Sequence, residues 1–245
     1  MRIDETKCSG CGMCHDVCTM NCIGFARAPK GIVSQVDEDE CVDCGVCERS
    51  RVCTLDALKQ PVSEWPRSLR GTFSNPLEEH KETKVPGRGT EEMKTNDVTQ
   101  RFKPGFAGFG IELGRPGTGA RLRDAGVVAK RLKAIGIAFE PKNPLTSLLD
   151  PVTGECLPEV SNEKVLSCII EFIVPSERVA EVLHVIKQTE TEIDTVMSID
   201  FAYKAEPGEE SHALREALMT GEQPYPNGKT NVGLGRPVLK VVNSR

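Results

Sequence analysis

Between residues 106 and 205, apolar and polar positions alternate with two distinct periods. Phe109, Ile111 and Leu113 alternate with Gly108, Gly110 and Glu112, which predicts a strand. Leu122, Ala125, Ala129, Leu132 and Ile135 then recur at helical spacing, with Gly136 as the stop. Ile137-Ala138-Phe139 reads as a short strand, and a long loop runs from Pro141 to Glu163. Val165 to Val174 is an apolar, β-branched run and predicts another strand. A second helix follows, with Ser176 as N-cap and Val179, Val182, Leu183 and Ile186 on its inner face. Ile193, Thr195, Met197, Ile199, Phe201 and Tyr203 then alternate with polar residues over a last strand. The predicted order is βαββαβ. Two βαβ halves with right-handed crossovers give a four-stranded antiparallel sheet with both helices on one face.

The flanking stretches lack such periods. Residues 61–105 carry recurrent proline, glycine and alternating charge, and predict an extended linker with Trp65 and Phe73 as anchors on a partner subunit or on the chain's own domains. Residues 206–245 predict a polar tail for docking, with one helix from Glu209 to Met219 and turns after it. Within the tail, Leu234-Gly235-Arg236-Pro237 echoes Leu113-Gly114-Arg115-Pro116. The glycine-rich stretch Gly105–Gly119, with Arg115, Arg121 and Arg123, is the small-molecule candidate of this half. Either its backbone N–H groups hold an anion before a helix, or it is a tight turn packed closely on a partner.

The first 53 residues hold nine of the eleven cysteines and almost no periodicity. Cys8, Cys11, Cys14 and Cys18 are spaced C-x2-C-x2-C-x3-C, and Cys41, Cys44, Cys47 and Cys53 are spaced C-x2-C-x2-C-x5-C. Three thiolates two residues apart wrap one corner of a cube, and a fourth ligand must then come from elsewhere in the chain. Structural zinc usually takes two separated C-x2-C pairs, so these triple repeats suit it poorly. Disulfides need an oxidising compartment, whereas Met1-Arg2-Ile3-Asp4-Glu5 leads straight into the first motif with no signal peptide. A reducing cytoplasm, in an anaerobic or low-oxygen setting, is the expected location.

The stretches CSGCGMCHDVCTMNCIGF, from Cys8 to Phe25, and CVDCGVCERSRVCTLDAL, from Cys41 to Leu58, resemble the bacterial-type two-cluster ferredoxins over residues 1–60. The resemblance implies two 4Fe-4S clusters with crossed ligation. It assigns Cys8, Cys11, Cys14 and Cys53 to one cluster, and Cys41, Cys44, Cys47 and Cys18 to the other. It also implies two short hairpins and two short helices, with Ile3, Val17, Ile23, Val33, Val36, Val46, Leu55 and Leu58 packed around the cubes. The sequence departs from that family's pattern in three places. Thr19 and Thr54 stand where proline is usual and restore a backbone N–H next to a ligand sulfur. Two extra residues lie within Glu48–Val52, a loop suited to a partner contact. Cys22 stands where a small residue is usual, as a buried apolar residue or as a spare thiol.

The expected fold class is therefore α+β: a dicluster ferredoxin domain (1–60), the linker (61–105), a βαββαβ ferredoxin-like α/β sandwich (106–205) and the tail (206–245). With no nucleophile–base–acid set, no catalytic residues are assigned. The function expected is that of an electron-transfer subunit of a larger flavin, tungsten or molybdenum oxidoreductase, in a hetero-oligomer. A redox- or effector-sensing protein is the alternative. A net charge of −5 argues against nucleic acid as the main partner, and no apolar run approaches the ~20 residues of a membrane span. Asp37-Glu38-Asp39-Glu40 is read as a solvated turn or as a docking patch for a basic surface. His15, beside Cys14, is either exposed or tunes a cluster.

Overall fold

A computed structural model of the chain describes residues 1–81, 84, 86, 102–115, 117–203 and 212–221. Most of the 206–245 tail, with its second Leu-Gly-Arg-Pro, and nearly all of 82–101 lie outside the described residues. Helix and strand are mixed, so the chain is α+β.

The N-terminal portion builds around chain crossings rather than long elements. Strand β1 (Arg2–Ile3) pairs antiparallel with β4 (Leu58–Lys59), tying the start of the segment to its end. The hairpin β2 (Ile23–Ala28) and β3 (Gly31–Val36) lies between the two cysteine runs. One helix, α1 (Val46–Arg49), forms in the second run. Of the two short helices expected in residues 1–60, only this one forms; the first cysteine run makes successive turns instead. The paired hairpins are likewise one hairpin plus the β1–β4 closure. Met1, Cys14, Cys22, Ile23, Cys41, Cys47 and Leu58 form the small buried cluster, with Ile3, Val17 and Val36 against it. Leu55, expected inside, is 47% exposed.

The larger core belongs to the C-terminal portion. Strand β5 (Phe106–Leu113) is central, with β8 (Cys168–Pro175) and β9 (Met197–Tyr203) antiparallel on either side. Ala107, Phe109, Ile111 and Leu113 are fully buried. Phe109 stacks on Phe172 at 5.2 Å and meets Phe201 edge-on at 5.4 Å. The opposite face carries Gly108, where a Cβ would lie 2.0 Å from the Phe102 ring, so the glycine is there to admit that ring. The strand expected at 137–139 is reduced to one antiparallel bridge, Phe139 to Phe172, and the sheet has three strands rather than four.

Helix α3 (Leu122–Ala134) lays Leu122, Ala125, Val128, Ala129 and Leu132 on the core. Arg121 N donates to Asp124 Oδ2 at its start. Its end is a Schellman motif: Gly136, at φ 78°, donates to Lys133 O, and Ile137 N donates to Leu132 O. Helix α4 (Val179–Gln188) buries the expected Val179, Val182, Leu183 and Ile186. Its start differs from expectation, because Ser176 opens a 3-10 turn, Ser176–Arg178, instead of capping the helix. Helix α5 (His212–Met219) packs against α4 and places Ala213 in the core.

The 141–163 stretch is not a free loop. It contains a 3-10 turn at Thr146–Leu148 and buries Leu145, Leu148, Leu149 and Val160. The run after it divides: β7 (Lys164–Val165) pairs with β6 (Ala120–Arg121) before β8 begins at Cys168. Within 61–105, Ser68–Ser74 is helical, as α2, and Leu69 and Phe73 enter the larger core. Of the two expected anchors, Phe73 is buried and Trp65 is 55% exposed.

Candidate metal centre

Each cysteine run curls around a hollow, and each hollow is completed by a cysteine from the other run. The first, about 390 Å³ of space free of protein atoms, is lined by Cys8, Cys11, Cys14 and Cys53, with Met13 and Leu55 at its rim. The second, about 320 Å³, is lined by Cys18, Cys41, Cys44 and Cys47, with Met1, Val36 and Val42 among its apolar walls. Left-handed glycines make the tight turns that aim the thiols inward. Gly10 (φ 68°) turns the first run, and a Cβ there would lie 2.3 Å from the Ile32 carbonyl. Gly45 (φ 70°) does the same in the second run.

All eleven cysteines are free thiols. Backbone donors converge on several of the lining sulfurs. Gly10 N and Ser34 N lie 3.5 and 3.3 Å from Cys8 Sγ. Cys22 N is 3.3 Å from Cys18 Sγ, and Ala57 N is 3.3 Å from Cys53 Sγ. Thr19 reaches Cys44 Sγ through its hydroxyl, at 3.3 Å. Such N–H groups stabilise thiolate over thiol. His15 is half-buried, bonded at 3.0 Å to Ser34 Oγ and tilted against Phe25 at 4.4 Å, so it is held in place beside the first hollow.

The thiols differ in acidity. A hydrogen bond from the Cys22 thiol, 3.5 Å away, holds Cys18 down to about 5 against the opposing effect of burial. Cys22 likewise draws Cys41 down to about 7. Cys22 is itself pushed up as the donor of both bonds. Burial, with Cys44 and Cys41 close by, pushes Cys47 up to about 12. A cationic group bound in such a hollow deprotonates its thiol ligands. Among the described residues, no three His, Cys, Asp or Glu side chains close on one point as a single ion requires. In each hollow four cysteines line one space free of protein atoms.

The second hollow carries more neighbouring charge. The Met1 amino group is ion-paired with Asp43 and lies 3.8 Å from Cys41 Sγ. Arg67 Nε approaches Asp43 Oδ2 at 2.9 Å. Burial raises the Asp43 carboxyl, but the Met1 ammonium and Arg67 outweigh it and leave the carboxyl below its ordinary value.

Residues 1–24 match the family of 4Fe-4S binding domains. No curated protein and no solved structure matches the chain. The match takes in the whole first cysteine run, so a ferredoxin-type 4Fe-4S binding segment lies at residues 1–24. The match ends before Cys41. Among the described residues, no helix is long and apolar enough to cross a membrane.

The N-terminal portion is gripped by the larger core along one side. Arg121 Nη2 donates to Asp39 Oδ2 at 2.7 Å and to Glu40 Oε1 at 3.0 Å, and Lys164 ion-pairs with Glu40. The acidic turn is thus a docking patch for the chain's own basic residues. The glycine stretch, read either as an anion site or as a tight turn packed closely on a partner, lies in the same contact. A Cβ on Gly119 would meet Met20 Cε at 2.7 Å, and one on Gly117 would sit 3.8 Å from Thr19 O. Its arginines are committed elsewhere: Arg115 to Glu112 at 3.5 Å, and Arg123 to Asn162 at 2.9 Å. In the Glu48–Val52 loop, Arg49 bonds Asn75 Oδ1 and Cys44 O, both at 2.9 Å, which turns it towards the chain rather than outward. Cys168 is buried in β8, and Cys156 is half-buried with burial raising its thiol to about 11. Sequence reasoning missed Arg67 and Arg70. They sit in a stretch without periodicity, and their partners lie far off in the chain.

Proposed function

We propose that the chain is an electron-transfer subunit with two 4Fe-4S clusters, serving a larger oxidoreductase. One cluster is held by Cys8, Cys11, Cys14 and Cys53, and the other by Cys18, Cys41, Cys44 and Cys47. The observation that carries this reading is the exchange of cysteines between runs: Cys53 completes the hollow of the first run, and Cys18 that of the second. A 4Fe-4S cluster supplies one-electron chemistry at a sulfur-ligated cube. The chain's own residues do the rest. The cysteines fix the two sites side by side in one small cluster of buried residues. The amides of Gly10, Ser34, Cys22 and Ala57 and the Thr19 hydroxyl offer hydrogen bonds that favour added negative charge on sulfur. Apolar walls limit water at the second hollow.

The domains follow from the same reading: 1–60 as the dicluster unit, 61–105 as the connection, 106–205 as a βαββαβ plait whose second strand has shrunk to the Phe139 bridge, and 206–245 as a docking tail. Cys11 and Met13 are exposed at the first hollow, whereas the larger core lies against the second. That asymmetry supports exchange with an outside partner at the first site. The redox partner is a protein with a flavin, tungsten or molybdenum centre, in the cytoplasm of an anaerobe. The grip on the acidic turn favours a second reading, in which the plait senses the redox state of its neighbour.

Anaerobic purification with iron and acid-labile sulfide analysis tests the proposal. Roughly eight of each per chain, with reversible one-electron reduction, are expected. Bound zinc, or about four irons, contradicts it. Electron delivery to a co-purifying enzyme separates the subunit from the sensor, which would show effector binding without delivery.

A further inference from the structure

Arg70 stands on α2, whose Leu69 and Phe73 belong to the larger core. Its guanidinium reaches the other way and is 4% exposed as a residue. One nitrogen, Nη1, donates to three carbonyls in succession: Glu38 O at 3.0 Å, Asp39 O at 2.9 Å and Cys41 O at 2.8 Å. Nε donates to Glu163, just before β7, 93 residues away. A buried cation is thus fixed on the backbone of a residue lining the second hollow, and its counter-charge is supplied from the other portion of the chain.

We propose that Arg70 is the positioning residue through which the C-terminal portion sets the reduction potential of the cluster in the second hollow. The inference rests on the two-cluster reading above. Two effects act in one direction. The guanidinium's positive charge, in a site poor in water, favours the state with the extra electron. Its hydrogen bond to the Cys41 carbonyl also polarises the same planar peptide, whose N–H belongs to Val42 and points the opposite way. Val42 lines the second hollow. Glu163 offsets part of the charge, so the pair acts as a graded setting rather than a bare cation. The first hollow has no counterpart: among the described residues, no arginine or lysine side chain hydrogen-bonds to a residue that lines it.

The test is a potentiometric titration of the anaerobic holoprotein, followed by electron paramagnetic resonance, with the two midpoints resolved. The midpoint that moves in Thr19→Val belongs to the second hollow, because Thr19 touches Cys44 Sγ. Arg70→Gln is expected to lower that midpoint and Glu163→Gln to raise it, while the other midpoint stays put. Arg70→Lys, which keeps charge but not the guanidinium, should fall between wild type and Arg70→Gln. Loosened packing alone would not give opposite signs in the two variants. No movement in either variant, or movement of both in the same direction, overturns the assignment. If Arg70→Gln fails to fold, Arg70→Lys and Glu163→Gln decide alone: no shift in either overturns it. A wild-type protein that loads a single cluster overturns this inference together with the reading beneath it. A protein with two normal clusters and unmoved midpoints overturns this inference only.

Discussion

Arg121 Nη2 lies 2.7 Å from Asp39 Oδ2, although the two residues are 82 positions apart. This contact joins the helix start of the larger core to the turn that leads into the second cysteine run. It is at the surface, with Asp39 72% exposed in its side chain, so its strength depends on solvent.

Removing the exposed part of the grip should therefore loosen the turn without unfolding the protein. Exposed ion pairs contribute about 0.2–1 kcal/mol each. Arg121→Ala combined with Lys164→Ala should cost about 1 kcal/mol locally and speed hydrogen exchange at residues 37–41 by about fivefold. Wild type in 1 M salt should approach the variant. Exchange that is unchanged in both would show that Arg70 alone holds the turn.

The same contact sets a pH dependence. The hydrogen bond from Arg121 holds the Asp39 carboxyl below its ordinary value of about 3.8. A carboxyl depressed in the folded state contributes stability above the unfolded value, and that stability is lost as pH falls through the folded value. The grip should thus be constant at neutral pH and fail only below about pH 4. Carbon-detected NMR of labelled aspartate should give Asp39 a midpoint below that of a free aspartate, about 3.9. In Arg121→Ala the midpoint should rise towards that figure. A wild-type midpoint at or above it would contradict the contact.

Gly10 gives a local test of the first hollow. An added Cβ would lie 2.3 Å from the Ile32 carbonyl, at a φ of 68° that other residues rarely adopt. Gly10→Ala should displace the turn carrying Cys8 and Cys11 and halve the iron per chain, with the second site retained. The larger core should be unaffected in its thermal unfolding, because Gly10 does not touch it. Full iron loading in this variant would count against the site.

The sequence made much of this legible, and the limits are physical. Strand β5 and helices α3 and α4 have clear periods because each buries one face against the same core. The crossed pairing was implied by the resemblance to two-cluster ferredoxins, since spacing says only that a fourth ligand comes from elsewhere; each hollow is lined by three cysteines of one run and one of the other. Residues 137–139 read as a strand by apolarity, but the segment makes only the single bridge at Phe139. Helix α2 was illegible because two apolar residues, Leu69 and Phe73, make no period. Arg70, Arg121 and Lys164 were illegible in another way. Their partners lie tens of residues off, and one charged residue looks much like another until the chain has folded.

The exchange of cysteines between the two runs is tested most directly by spectroscopy of single ligand variants. Reduced, anaerobically reconstituted Cys53→Ser and Cys18→Ser should each be compared with Cys11→Ser and Cys44→Ser by electron paramagnetic resonance. Cys53→Ser should perturb the same signal as Cys11→Ser, and Cys18→Ser the same signal as Cys44→Ser. If Cys18→Ser instead follows Cys11→Ser, each run holds its own metal and the crossed arrangement is wrong.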